Sequence, residues 1–226
     1  MLNYNKNFVI FFILSAIFVL FVPIGFFDVI DLFVYEWTSF VANPFLDNFW
    51  RMFTLLGETE ALALLSLIIV VFLFRNKKYS EITLYLFMMS IGIVLTLVLK
   101  LLIKKDRPGE VEYIDFWGYG NHIISYSFPS GHAVKSFLVF SFLIWYVRRN
   151  YQQLKTLAVI TTVFTMAFLL CGIGQMFLEE HYISDVIGGY FIGFACFYFS
   201  LSVYERWMKS RTIKITSPFK KEFVSK

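Results

Sequence analysis

The stretch TLAVITTVFTMAFLLCGIGQMFLEEHYISDVIGGYFIGFACFYFSLSVY, residues 156–204, holds two apolar runs, 156–178 and 184–204, joined through Glu179, Glu180, His181 and Asp185. Each run is close to the roughly 20 residues that cross a hydrocarbon core. Two spans with their titratable groups gathered at one junction describe a membrane helix pair whose chemistry sits at a surface. Composition extends this to the whole chain. Of 226 residues, 58% are hydrophobic and 16% charged, and the mean hydropathy is +0.68, whereas roughly a quarter of residues are charged in soluble domains. Further runs at 8–27, 60–74, 82–103 and 130–147 bring the expected number of spans to about six. Without an internal repeat or a low-complexity linker, residues 1–226 read as one all-α, polytopic membrane domain.

Lys and Arg set the expected orientation, because cytoplasmic loops are enriched in them. Lys6, then Arg75, Lys77 and Lys78, then Arg148, Arg149 and Lys155, and finally the basic tail from Arg206 to Lys226 fall on one side. Both termini are therefore expected in the cytoplasm. Lys100, Lys104, Lys105 and Arg107 lie together on the opposite side, and positive charge placed against the bias asks for a reason. The net charge of +4 follows from the inner loops and the tail, so no nucleic-acid partner is expected. The run 8–27 follows a single Lys and lacks a small-residue cleavage site, which favours a span over a cleaved signal. Cys171 and Cys196 fall inside apolar runs and read as packing residues.

Residues 28–59 mix Ile30, Phe33, Val34 and Trp37 at helical spacing with Asp31, Glu36 and Asp47. The pattern predicts interfacial amphipathic helices, broken near Asn43-Pro44, that cover the bundle on its outer side.

Three polar clusters stand at the outer ends of the later spans. Lys100 and Arg107 are seven residues apart, two helical turns, and share a face if the helix persists to Pro108. An ammonium with a forked guanidinium suits a phosphate dianion. The plainer reading, anchors that snorkel to the interface, suits Lys104 and Lys105 better. Pro129-Ser130-Gly131-His132 opens a span. Ser130 there is a candidate N-cap, Gly131 lets a ligand near the backbone, and the free N–H groups form an anion site with His132 as proton donor. A simple capped helix start explains the same residues. In His181-x3-Asp185 the carboxylate can hold one imidazole nitrogen and leave the other as a nucleophile, or the two can form a water-facing pair. Glu179 and Glu180 read as solvated loop acids, and His122 as a loop residue.

In order and spacing these clusters resemble the type 2 phosphatidic acid phosphatase (PAP2) family, whose pattern is K-x6-RP, then PSGH, then SR-x5-H-x3-D. The resemblance spans roughly residues 45 to 190. It implies a six-helix membrane phosphatase at the outer face, with no metal or other cofactor. By analogy His181 attacks phosphorus, Asp185 orients it and His132 protonates the leaving oxygen. Lys100, Arg107, Ser130 and Gly131 hold the phosphate. The substrate would be a lipid phosphate or diphosphate such as undecaprenyl diphosphate, phosphatidylglycerol phosphate, phosphatidic acid or a lipid A phosphate. The size of the chain suits a bacterial inner membrane protein, with its site on the periplasmic or outer face.

The sequence departs from the pattern at Gly174 and Gln175, where the family has Ser and Arg. A hydrogen bond to a charged group is worth about 1.5–3 kcal/mol, so the substitution removes a substantial phosphate contact while Gln175 keeps a donor. Lys135, one turn after His132, is the expected replacement cation. Transfer of phosphate to a second lipid, or binding without catalysis, are the other activities this departure would fit. Gly189-x3-Gly193 is expected to support close helix packing.

Overall fold

The computed structural model describes residues 4–109, 113–114, 123–124, 126–151 and 154–216. His122 and most of the loop before Tyr126 lie outside the described residues. Helix α1 (Tyr4–Phe21) turns through left-handed Gly25 into α2 (Asp28–Val41). The expected break follows, with Asn43 accepting from the Phe45 and Leu46 amides as the N-cap of α3 (Pro44–Thr54) and Pro44 in its first turn. Next come α4 (Thr59–Arg75) and α5 (Tyr79–Ile103). A two-residue antiparallel pair, Tyr113–Ile114 with Ile123–Ile124, precedes α6 (Gly131–Asn150), α7 (Leu154–Phe177) and α8 (Ile183–Thr216).

Four helical segments are long and apolar enough to cross a membrane, Tyr4–Ile24, Tyr79–Ile103, Thr156–Phe177 and Ile183–Ser210, with a fifth if Pro44–Gly57 and Thr59–Arg75, bent by 42°, count as one span. The sequence reading gave about six. The difference lies in α4, which has only 17 residues, and in α6, counted as a span but outside the qualifying set. Helix α6 is the core of the protein. Its buried side chains run from Ala133 to Tyr146 and include Phe137, Phe140, Phe142, Ser136 and Ser141. A helix surrounded by protein does not need the uniformly apolar surface that lipid requires.

Helix α8 packs beside α6 where its glycines remove side-chain bulk. A Cβ on Gly189 would stand 3.1 Å from Ser130 O, and one on Gly193 2.7 Å from Phe137 Cδ1. The small-residue pair thus joins two helices of one chain. On its other side α8 meets α1 through a ladder of rings, with Phe11 stacked on Phe194 at 4.3 Å and on Tyr198 at 5.6 Å. Cys171 and Cys196 are buried and unpaired, as packing residues.

Helix α2 is amphipathic, as the spacing predicts. Ile30, Phe33 and Trp37 are 45%, 65% and 53% exposed, whereas Asp31 and Thr38 are buried. The apolar stripe faces outward, where lipid is the solvent, and the polar stripe faces the protein.

Filling the α6–α8 contact tests this architecture. Gly193→Leu is expected to clash with Phe137 at a cost of about 1–3 kcal/mol. Its midpoint of thermal unfolding in detergent should fall by about 2 °C or more, as followed by circular dichroism.

Candidate active site

The end of α5 differs from the sequence expectation, since Lys104 adopts φ +52° and the helix stops at Ile103. Arg107 therefore lies beyond the helix and does not share a helical face with Lys100. Lys100 donates to the carbonyls of Tyr126 and Ser127. Arg107 bonds the Glu180 carboxylate.

Lys105 points inward, contrary to its reading as an interfacial anchor. Its ammonium bonds Asp31 Oδ2 at 2.7 Å, Ser184 Oγ at 2.8 Å and Asp185 Oδ1 at 3.0 Å, and lies 4.6 Å from the centre of the Tyr182 ring. Asp31 also accepts from the Ser184 amide at 2.9 Å and the Ser184 hydroxyl at 2.7 Å. Burial alone would lower the proton affinity of this lysine, but the charges of Asp185 and then Asp31 hold it above the usual lysine value.

His181 and Asp185 meet through an intermediary. Ser127 Oγ donates to Asp185 Oδ2 and stands 3.2 Å from His181 Nδ1, while Nδ1 and Asp185 Oδ2 are 3.7 Å apart. Asp185 Oδ2 also accepts from the Tyr182 amide at 2.9 Å. These contacts occupy one face of the imidazole and leave Nε2 as the nitrogen for chemistry. Burial pushes His181 down to about 3, and Lys100 and Arg107 push the same way, against the Asp185 hydrogen bond. The imidazole is thus neutral at ordinary pH, the state in which a histidine nitrogen can act as a nucleophile. Ser130 caps α6 as expected, with Oγ accepting from Ala133 N at 3.4 Å, and its own amide donates to Asp185 O at 3.1 Å. A side chain at Gly131 would meet nothing closer than Lys135 Cε at 4.0 Å, so the backbone there is open to a ligand.

A cavity of about 480 Å³ lies in front of His132, lined also by Asn48, Arg51, Glu58, Gln175 and Glu180. His132 Nε2 stands 3.5 Å from Glu58 Oε2, and the approach of the imidazole holds the Glu58 carboxyl below its usual range. Gln175 is buried, and its Oε1 has no partner among the described residues. Lys135 bonds Thr59 Oγ1 at 2.7 Å and is not among the cavity-lining residues. Among the described residues no three His, Cys, Asp or Glu side chains are grouped as metal ligands. A second cavity of about 480 Å³ opens near Arg148 and Arg149 among aromatic side chains, away from these groups.

The structure therefore brings Lys100, Arg107, Ser130, His181 and Asp185 into one cluster and sets His132 and Gln175 on the wall of the adjoining cavity. It also corrects the reading of the loop acids as solvated. Glu180 is tied to Arg107, and Glu179 accepts from Ser39 Oγ at 2.7 Å with Tyr35 OH 3.5 Å away. Those bonds to α2 hold Glu179 at φ +59°, a conformation that costs roughly 1–2 kcal/mol outside glycine. Ser127, Lys105, Asp31, Ser184 and Glu58 were not marked by sequence spacing, since each reaches its partner across the fold. The one available signal was Asp31 and Thr38, seven residues apart on a single face of α2.

Comparison with known proteins agrees with this architecture. The family model of the PAP2 superfamily matches residues 81–209. Phosphatidylglycerophosphatase B of Bacillus subtilis (strain 168) is 26% identical over 159 residues, 70% of this chain and 75% of its own. The crystal structure of a transmembrane PAP2 type phosphatidylglycerolphosphate phosphatase from Bacillus subtilis superposes with a TM-score of 0.75 at 23% identity, over 88% of this chain and 96% of that one. Aquifex aeolicus LpxE gives a TM-score of 0.57 at 23% identity, over 76% and 94% of the two chains. At these identities the solved structures establish the fold.

Burial of a neutral imidazole makes folding depend on pH. In the unfolded chain His181 takes a proton near pH 6.5, whereas in the folded protein it resists until about 3. Its contribution to stability is therefore intact above about pH 6.5 and lost progressively as pH falls toward 3. Wild-type protein in detergent should melt at lower temperature at pH 5 than at pH 7.5, and His181→Gln should narrow that gap. An unchanged gap in the variant would show that His181 is not buried neutral.

Proposed function

Because the chain belongs to the PAP2 superfamily, we propose that it is a membrane lipid phosphatase acting through a phosphohistidine on a lipid phosphate or diphosphate. The observation that carries this reading is His181, buried and neutral, with Nδ1 held against Ser127 and Asp185 and with Lys100 and Arg107 close enough to depress its proton affinity. That arrangement supports a nucleophile beside an anion site.

In the first step the Nε2 lone pair of His181 attacks phosphorus. The bond from phosphorus to the leaving oxygen breaks, the ester oxygen of a monoester or the bridging oxygen of a diphosphate, and that oxygen takes a proton from His132. In the second step water attacks the phosphohistidine while His132 takes back a proton, the P–N bond breaks and inorganic phosphate leaves. Asp185, acting through Ser127, holds the His181 ring in place. The phosphate oxygens meet Lys100, Arg107, the Gly131 backbone and the capped N-terminus of α6 at Ser130, where charge spreads during transfer. Arriving phosphate displaces Glu180 from Arg107.

The basic loops lie on the other side from this cluster, which supports cytoplasmic termini and a site on the outer face. The bacterial relatives support a bacterial inner membrane. The whole chain, residues 1–226, would act as one domain.

Phosphate release by purified protein in detergent with EDTA, over a panel of lipid phosphates and diphosphates, tests the reading. Release should persist in EDTA, and His181→Ala should reduce it by about 1,000-fold or more, as expected for loss of a nucleophile. Comparable release by the variant would sink the proposal.

A further inference from the structure

The cavity in front of His132 contains a cation that the mechanism above does not use. Arg51 lines it from α3. Both acids on the same wall already have partners, Glu58 facing His132 and Glu180 bonding Arg107. The Arg51 side chain is exposed, and it makes no hydrogen bond or ion pair among the described residues. Arg51 is thus the one Lys or Arg side chain among the lining residues and has no carboxylate bonded to it among the described residues, and an anionic ligand group would give it a partner.

Two further features point to a ligand at this place. Gln175, 2% exposed, lines the cavity with its Oε1 unpartnered among the described residues. A buried amide without a partner is costly, and rotation of the amide would present its N–H₂ to an anion. The position of α3 is the second feature. A Cβ at Gly174 would stand 2.7 Å from Thr54 Cγ2 and 3.3 Å from Trp50 O. Only a residue without a side chain admits the α3 backbone here, and this close approach brings Arg51, next to Trp50, to the cavity that Gln175 lines. At about 480 Å³ the cavity is within the range of ligand sites, with room for more than the phosphoryl group next to His132.

We propose that Arg51 is a specificity-determining residue that binds a second anionic phosphate of the substrate, adjoining the phosphoryl group that is removed. This rests on the phosphatase reading and deepens it: the favoured substrates carry two phosphates, either as a diphosphate or as a monoester beside a phosphodiester. A lipid with a single phosphate leaves Arg51 unused. Gln175 assists as an uncharged donor, and Lys135, held by Thr59, takes no part.

The test compares wild type, Arg51→Gln and Arg51→Lys in detergent on an isoprenyl diphosphate, phosphatidylglycerol phosphate and phosphatidic acid. For wild type, kcat/KM on each two-phosphate lipid should exceed that on phosphatidic acid. In Arg51→Gln that ratio should fall by about 10- to 100-fold, the value of one charge-assisted hydrogen bond, and Arg51→Lys should recover part of it. A fall confined to the diphosphate or to phosphatidylglycerol phosphate identifies which arrangement the site fits. An unchanged ratio, or an equal loss on phosphatidic acid, overturns the proposal. If wild type releases phosphate from no lipid, the phosphatase reading fails. The Kd values of the same intact lipids then decide the role of Arg51, which requires weaker binding of the two-phosphate lipids in Arg51→Gln and little change for phosphatidic acid.

Discussion

One ammonium held between two buried carboxylates governs the geometry of this site. The Lys105 side chain is 15% exposed, and those of Asp31 and Asp185 are 3% and 0%. Moving such charges out of water costs several kcal/mol per ion, so none is tolerable alone. Together, with the Ser184 hydroxyl and amide meeting the Asp31 oxygens, they satisfy one another. The same residue acts through its backbone, because Lys105 O accepts from Ser127 N at 2.7 Å. Its ammonium fixes Asp185 and its carbonyl fixes Ser127, the two groups that face His181 Nδ1. Helix α2, the end of α5 and the start of α8 are thereby joined at one point.

This arrangement depends on the bilayer as solvent. In water, burying Asp31 and exposing Phe33 and Trp37 would be unfavourable on both counts. In lipid the apolar side chains lose nothing outside, while a carboxylate must find partners inside. Helix α2 therefore presents Asp31, Tyr35, Thr38 and Ser39 toward the protein, where Asp31 meets Lys105 and Ser39 meets Glu179. The same logic places α6 at the centre. Its serines, His132 and Lys135 would be expensive against lipid, and its neighbours shield them.

What could be read from the sequence follows the range of the interactions. The all-helical membrane class, the Asn43-Pro44 break, the Ser130 cap and the paired glycines of α8 all arise from contacts within a turn or from the pattern of one helix. The three polar clusters were legible because each keeps its chemistry in a short spacing. Span number was less so, since hydropathy does not distinguish a helix buried in protein from one facing lipid, and α6 is the case in point. Lys105 was misread for a related reason. Within the basic run 100–107 nothing local separates the lysine that turns inward from Lys104, which stays exposed. The deciding partner, Asp31, lies 74 residues away. Glu58 and Ser127 were hidden in the same way, by side-chain contacts made only after the helices assemble, and Arg51 by a cavity that forms only when α3 meets α7.

Assembly also explains why two carboxylates stand on the groups that would meet the substrate. Arg107, its side chain 10% exposed, stands where an unpaired cation is costly, and Glu180 supplies the compensating charge, while Glu58 stands 3.5 Å from the His132 ring. On the proposed function, phosphate binding would exchange one anion for another and leave the net charge around Arg107 little changed. Because the gain is only a difference between two anions, ground-state affinity would be held down. The balance shifts during transfer. A carboxylate offers two oxygens, whereas a phosphoryl group in transfer spreads its charge over three equatorial oxygens, which Lys100, Arg107 and the N-terminal amides of α6 can meet together. On the proposed mechanism those contacts would strengthen in transfer and favour the transition state over the bound substrate, which is the condition for catalysis.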